Sequence, residues 1–433
     1  MSIRDVASWR PSRWDFRAPS ATRGVVAYTT ALLTVLNIVN YADRMIIAVL
    51  VQPIKIDLRL SDTQMGLLSG FAFVAVYAAA GLPLARLADR IGRRWVLAMS
   101  IASWSLMTGV CGLTHSFGQL VVARLGVGLG EAGCVPSGTA LLADLYPTGR
   151  RTLPMAIFTM GSPIGIAIGL SVGGKIAALF GWRAAFLLVG LPGLALALLI
   201  LFTLTEPRRH DAREDVLHVS LRSTIVKLFR NRTYRLAVGA QIFYLFCTLG
   251  TLSWLPAFYM RSHALSVAQV GLFFGIAYGL GAAVGCYVGG YILQKATQEA
   301  GGLHWAACMV VLALPCFVTA LLTPSATVSL LAIMLYGALM GAAGAPIIAG
   351  QQSVVDTGCR ATASAVGIFL SSYVGGGLGS LLVGMASDAL TPVFGHTALR
   401  TALLIASTGT IFVGMFALGA SRSLAADAKS SGR

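Results

Sequence analysis

Charge is scarce in this chain: only 11% of its 433 residues are Asp, Glu, Lys or Arg. A soluble domain carries about 25%. With 56% hydrophobic residues and a mean hydropathy of +0.78, the composition excludes an ordinary soluble protein and fits a polytopic membrane protein. Acidic residues are scarcer still, 16 against 32 basic, for a net charge of +16. Histidine is limited to six positions, with no HExxH pattern and no paired carboxylates at a shared site, so an enzyme is not expected. No Walker sequence G-x-x-x-x-G-K-[ST] is present, so ATP is not the implied energy source. The seven cysteines show no CxxC or His-coupled spacing and read as small buried hydrophobes. No metal or cofactor site is expected. The polar first 24 residues hold five arginines and no apolar core, so no signal peptide is expected.

What is present is a series of apolar runs. A spanning helix needs about 20 apolar residues. Twelve such runs occur, near 25–50, 63–85, 95–114, 117–145, 153–180, 184–204, 235–259, 269–294, 304–323, 327–350, 363–389 and 397–419. The expected fold is therefore all-α, with twelve transmembrane helices. The 49 glycines suit it, because small residues let membrane helices approach closely. The connections are short except from Glu206 to Tyr234. There Val216, Leu217, Leu221, Ile225, Leu228 and Phe229 stand at near-helical spacing, as on an amphipathic helix lying on the membrane face. The resulting division is a segment 1–24, a six-helix bundle 25–205, a linker 206–234, a second six-helix bundle 235–420, and a tail 421–433. Two such halves suit a carrier built from repeats better than a fixed pore.

The basic residues are sorted by position. Lys55, Arg59, Arg183, Arg261 and Arg400 fall on one side, Arg44, Arg124 and Lys175 within spans, and the other 24 on the opposite side. This asymmetry argues against nucleic acid as a partner and puts both termini in the cytoplasm. Some of the excess charge can meet anionic lipid head groups. Lys175, near the outer end of its span, is expected to snorkel.

Two spans carry charge in their interior: N-Y-A-D-R at 40–44, and 117–145 with Arg124 and Glu131. A charge near the bilayer centre costs roughly 2.5–3.5 kcal/mol on insertion scales unless it is paired or wet. Asp43 and Arg124 each lie about seven residues from the outer end of their spans, whereas Glu131 lies about 10 Å deeper at 1.5 Å per residue. Arg124 and Glu131, seven apart, share a helix face. The expected pairing is Asp43 with Arg124 and Arg44 with Glu131; the alternative is Asp43 with its neighbour and Arg124 with Glu131. Either gives a neutral cluster. A carboxylate in low dielectric holds its proton more tightly, and a nearby cation opposes this. Glu131, the deepest, is the first candidate for a titrating acid and Asp43 the second. The second half offers aromatic rather than charged candidates for an apolar substrate pocket: Phe243, Tyr244, Trp254, Phe274, Tyr278 and Tyr373. A charged half facing an apolar half suits an amphiphilic substrate.

The loop A-R-L-A-D-R-I-G-R-R (85–94) resembles the signature G-x-x-x-D-[RK]-x-G-[RK]-[RK] of the major facilitator superfamily, with Asp89, Arg90, Gly92, Arg93 and Arg94 matching and Ala85 in place of the first glycine. R-L-G-V-G-L-G-E-A-G (124–133), the glycine-rich 161–174 and Gly181-Trp182-Arg183 resemble further motifs of that family. The resemblance implies the major facilitator fold and a cytoplasmic gate, to which Asp89, Arg90, Gly92, Arg93, Arg94, Asp144 and Arg150 are assigned. N-Y-A-D-R (40–44), G-E-A (130–132), A-D-L-Y-P (143–147) and 374–388 are most similar to the spinster branch; the anion–cation symporter branch shares the first two. The spinster likeness implies a proton-coupled carrier of lysophospholipid or sphingoid type. The alternatives are a carrier of organic anions or sugar acids, and a drug/proton exchanger. The expected partners are a small amphiphile, protons and membrane lipids. A monomer in a bacterial inner membrane is expected.

Overall fold

The computed structural model describes residues 23–146, 152–204, 221–295, 299–355 and 360–430. Val216 and Leu217 of the expected surface helix, Arg150 of the expected gate and the side chain of Asp89 lie outside the described residues. Among the described residues the regular elements are all helical.

The crossings follow the apolar runs. The first is one helix, Arg23–Leu58. The second runs from Asp62–Gly66 through a π turn, Leu67–Phe71, into Ala72–Ile91. Arg93–Cys111 is the third. The fourth is broken into Phe117–Glu131 and Cys134–Leu145. The fifth and sixth share the helical stretch Thr152–Thr203, which bends at Gly181. After the short helix Leu221–Arg230, the seventh comprises Arg232–Leu245, a π turn Phe246–Gly250 and Leu255–Ser262. Val267–Lys295, Glu299–Leu322 and Ala326–Ser353 are the eighth to tenth. The eleventh is Arg360–Leu370, a π turn Ser371–Gly377, and Leu378–Phe394; the twelfth is Ala398–Ser407 and Gly409–Ser430.

Eight described stretches are long and apolar enough to cross a membrane, and a ninth is the pair Arg232–Gly250 and Leu255–Ser262, bent by 42°. Two of the eight, Leu153–Thr203 and Thr362–Ala426, are 51 and 65 residues long, far more than one crossing needs. They turn at Gly181 and Gly395 and hold two crossings each. Arg93–Cys111 opens on two arginines but is otherwise apolar, and completes the twelve.

The chain enters and leaves the bundle at one end, here the near end; the opposite end is the far end. Gly92 turns the chain between the second and third crossings at φ 103°, and Gly181 between the fifth and sixth at φ 85°; both lie in the region that only glycine adopts freely. The helix one boundary differs from the hydropathy reading. The apolar run ends near Leu50, but the helix continues through Pro53, Lys55 and Asp57 to Leu58. At about 1.5 Å per residue its 36 residues reach about 54 Å, well past a hydrocarbon core of about 30 Å. The twelfth helix likewise runs on through the basic tail to Ser430.

Glycine spacing sets the packing of the first half. The fifth crossing lies along the first, and a Cβ on Gly161, Gly165, Gly169 or Gly173 would meet Asn37, Ile38, Ala42 or Ile46. The fifth crossing also touches the eighth across the seam between the halves. There Gly174 meets Gly271, and Ser171 Oγ donates to the Gly271 carbonyl at 3.1 Å. A second contact across the seam is polar. Ser380 of the eleventh crossing meets Ser69 of the second and Ser253 of the seventh, each at 2.9 Å, and its carbonyl accepts from Trp254 Nε1 at 2.9 Å.

Candidate functional site

The first crossing presents Asn37, Asn40, Tyr41, Asp43 and Arg44 to its neighbours. Asn37 Nδ2 donates to the Phe158 carbonyl at 2.8 Å, which fixes the first helix against the fifth. Glu131 ends the first segment of the broken fourth crossing and is fully buried. Arg44 Nε donates to Glu131 Oε2 at 2.9 Å, and Arg44 Nη2 lies 2.8 Å from the same oxygen. This is one half of the expected pairing; the other half, Asp43 with Arg124, is not formed among the described residues.

The Arg44 guanidinium is also enclosed by three rings. Its central carbon lies 4.7 Å from the centroids of Phe73 and Tyr77 and 5.3 Å from that of Tyr41. A desolvated cation over a ring is attracted by the ring quadrupole. Phe73 serves two cations, because the central carbon of the Arg124 guanidinium lies 5.3 Å from its ring centroid. Phe73 and Tyr77 stack at 5.6 Å, being one turn apart on the second crossing.

Asp43 and Arg124 do not form an ion pair among the described residues. Asp43 Oδ2 instead accepts from Thr108 Oγ1 of the third crossing at 2.7 Å. Both residues are buried, and Asp43 Oδ1, Glu131 Oε1, and Arg124 Nε and Nη1 have no hydrogen-bond partner among the described residues. The physical reason is the ring of Phe73, which lies against the guanidinium, and the Thr108 hydroxyl, which takes up the carboxylate. A buried polar atom without a partner is costly, of order 1–3 kcal/mol. Four such groups in one place mark a site arranged for something other than stability.

The aromatic residues assigned to a pocket in the second half are not gathered in one. Trp254 and Phe274 are fully buried, so they line no open cavity here. Trp254 is held at the seam by its bond to Ser380, and Phe274 is packed between Tyr259 at 5.8 Å and Tyr278 at 5.8 Å. Phe243 stacks on Phe412 and Phe416 of the twelfth crossing at 5.0 and 5.7 Å, inside its own half. Tyr244 donates to the Met340 carbonyl at 3.1 Å. Tyr373 faces the other half, with its ring 5.4 Å from Phe71. Aromatic residues look alike in sequence whether they fill a core or line a pocket, which is why the expectation dispersed.

At the near end Gly92 makes the expected turn, and Arg93 pairs with Asp144 across the third and fourth crossings. Arg94 Nη1 donates to the Leu204 carbonyl at 3.5 Å, and Arg90 is exposed.

The far end holds a network that the sequence reading missed. Asp62, at the start of the second crossing, is 2% exposed. It accepts from Arg261 Nη1 at 2.8 Å and Nη2 at 2.7 Å, from Lys55 Nζ at 2.5 Å and from Ser387 Oγ at 2.6 Å. Arg261 and Ser387 belong to the second half. Asp388 completes it: its two oxygens accept from the backbone N–H of Asp62 at 2.9 Å and of Thr63 at 2.7 Å. One half thus caps a helix of the other, where the helix N-terminus favours negative charge. Gln52 Oε1 accepts from Arg261 Nε at 2.8 Å. The only sequence signals were charges beside turns, which were assigned to topology. Among the described residues no cluster of His, Cys, Asp and Glu suits a metal ion.

Two seamed halves of membrane-crossing helices, broken and π-turned where they meet, with charges buried between them, define an integral membrane transporter. The profile of the Major Facilitator Superfamily matches residues 33–380, and the chain belongs to that family. It is similar to an MFS-type efflux pump of Mycolicibacterium smegmatis, 34% identical over 385 residues, covering 88% of this chain and 89% of the relative. It is 30% identical to a probable L-galactonate transporter of Escherichia coli over 329 residues, 71% of each chain. In structure it resembles a bacterial homologue of the human lysosomal transporter spinster in an inward-facing, unoccupied conformation. That match has a TM-score of 0.83 at 26% identity and covers 94% of this chain and 99% of the other. The expected superfamily and spinster-like type are thereby found.

Proposed function

We propose that the protein is a proton-coupled secondary carrier that moves an amphiphilic, lipid-like molecule of lysophospholipid or sphingoid type across a bacterial inner membrane by alternating access. The observation that carries this reading is the Arg44–Glu131 pair held inside three aromatic rings, beside buried Asp43 and Arg124 with unsatisfied polar atoms. Arg44 is the cation that meets an anionic head group, and Glu131 is the acid that competes with it. A proton on Glu131 removes the charge that holds Arg44 and frees the guanidinium; loss of the proton restores the pair. Asp43 and Arg124 supply a second acid and cation beside it. Apolar substrate surface is taken by the uncharged second half, with Tyr373 and Phe71 at the seam.

The near end is assigned to the cytoplasm on the distribution of basic residues. The Asp62–Arg261 network then closes the outer side, and rocking of the halves about the Gly174–Gly271 contact must break it. Arg93 and Asp144, with Asp89, Arg90, Gly92, Arg94 and Arg150, belong to the inner gate that forms in the opposite state. Arg93 pairs with Asp144 in this one.

A second reading is an exporter of amphiphilic drugs in exchange for protons, favoured by the likeness to the efflux pump. A third is uptake of sugar acids, favoured by the likeness to the galactonate transporter. Counterflow in proteoliposomes with an imposed proton gradient separates them. Saturable, gradient-sensitive movement of a labelled lysophospholipid, with no movement of a sugar acid, supports the first. Movement of a sugar acid without the lysolipid refutes it, and exchange of cationic dyes alone transfers the reading to export.

A further inference from the structure

The twelfth crossing carries a stripe at helical spacing that no transport step uses: Phe412, Met415, Gly419, Arg422 and Ala426. Its first two side chains are exposed, at 44% and 63%, within the apolar part of the helix. Beyond them, at the near end, the stripe opens into a cavity of about 540 Å³ lined by Asn231, Arg232, Gly419, Arg422, Ser423 and Ala426. The cavity exists because three small residues at i, i+4 and i+7, namely Gly419, Ser423 and Ala426, form its floor. Thr233 Oγ1 donates to Ser423 Oγ at 2.7 Å and ties the seventh crossing to the twelfth beneath it.

The two cations of this cavity come from different helices. Arg422 stands on the twelfth, and Arg232 is the first residue of the seventh, next to Asn231, whose side chain accepts from the Tyr234 N–H. Among the described residues neither arginine has an ion pair and no acidic side chain lines the cavity. Two guanidiniums and a helix N-terminus converge on one space, which is the chemistry of phosphate recognition. The exposed Phe412 and Met415 leading into it distinguish a lipid from a soluble phosphate: the acyl chain lies along them and the head group reaches the arginines. The depth agrees, since Arg422 lies just past the apolar end of the crossing, where head groups reside.

We propose that this cavity binds the phosphodiester head group of an anionic phospholipid, with its tail along Phe412 and Met415. A zwitterionic lipid brings its own cation to two arginines and is bound less well. The site is separate from the central charges, so the inference does not rest on the proposed substrate.

The test is native mass spectrometry of the detergent-solubilised full chain incubated with phosphatidylglycerol or phosphatidylcholine of the same acyl length, and with glycerol phosphate as the soluble arm. The expected result is one retained phosphatidylglycerol, preferred over phosphatidylcholine, with no retention of glycerol phosphate. The R232Q/R422Q double variant should lower that retention roughly thirtyfold, on a contribution of about 1 kcal/mol for each basic residue near an anionic surface. Should the double variant not fold, R422Q is set against R230Q, which removes a near-end arginine that does not line the cavity; only R422Q should lose lipid. Equal retention of both lipids, equal loss in R422Q and R230Q, or retention of glycerol phosphate as tight as that of the lipid would each overturn the proposal.

Discussion

The two halves solve different problems with similar helices. The first half holds Asp43, Arg44, Arg124 and Glu131 in its interior, and its packing is organised around them: Thr108 on Asp43, three rings on Arg44, and a broken helix at Glu131. The second half buries Trp254, Phe258, Tyr259, Phe274 and Tyr336 instead, and the hydroxyls among these go to neighbouring carbonyls or to serine. Two of its charges engage the other half at the seam: Arg261 is lent to the Asp62 carboxylate, and Asp388 to the backbone N–H groups of Asp62 and Thr63. The difference teaches a division of labour: the charges buried in a bundle interior sit in one half, and the other supplies buried aromatics and Arg261 and Asp388 to the contact at the far end.

The sharpest way to break this comparison is to unpair the first half. Arg44→Ala leaves Glu131 buried without its cation, and breaking a buried pair from one side costs about 3–5 kcal/mol. Transport should fall to background, and chemical denaturation in detergent should show the stability loss. In the second half Phe274→Ala removes packing only. It should cost a similar amount, about 3–5 kcal/mol, yet leave the pH profile of the residual flux where it was; a shifted profile would merge the two halves' roles. A smaller effect is expected at the clasp. Asp62→Asn weakens its bonds to Arg261 and Lys55, each charge-assisted bond contributing about 1.5–3 kcal/mol. Spin labels placed across the far end should report a larger open population than in the parent, and no change would remove the clasp from the cycle. Smaller again is Tyr77→Leu, which removes one ring from the Arg44 cage. About 0.5–2 kcal/mol of attraction is lost, visible as a modest rise in KM for an anionic amphiphile. The least effect is expected from Arg183→Lys, whose pair with Asp57 is part-exposed at the far end of the first half. Such pairs contribute about 0–1 kcal/mol, so flux and melting temperature should barely move.

Much of the fold was legible because hydropathy reports on membrane-crossing helices directly. The glycine-rich 161–174 stood out only as a motif, and the structure lays its Gly161, Gly165, Gly169 and Gly173 on the first crossing. Arg44 with Glu131 was legible because both are interior charges of opposite sign, but the shared level of Asp43 and Arg124 misled, since level alone does not make a pair. Thr108 was not, since a hydroxyl in an apolar run has no signature until a carboxylate stands opposite. Nor was the Asp62 clasp, because Asp62 lies 199 residues from Arg261 and 326 from Asp388, and each, alone, reads as a loop charge. The first helix outran its apolar run because Lys55 and Asp57 end the hydropathy signal without ending the backbone hydrogen bonding.

The central claim is that Glu131 carries the proton that releases Arg44. Its most direct measurement is substrate flux against pH in proteoliposomes for the parent chain and for Glu131→Gln, with both orientations sampled. The account predicts that the variant binds substrate but loses gradient-driven accumulation, with exchange that no longer varies across the pH range where the parent's does. A variant that accumulates substrate with the parent's pH dependence would contradict it.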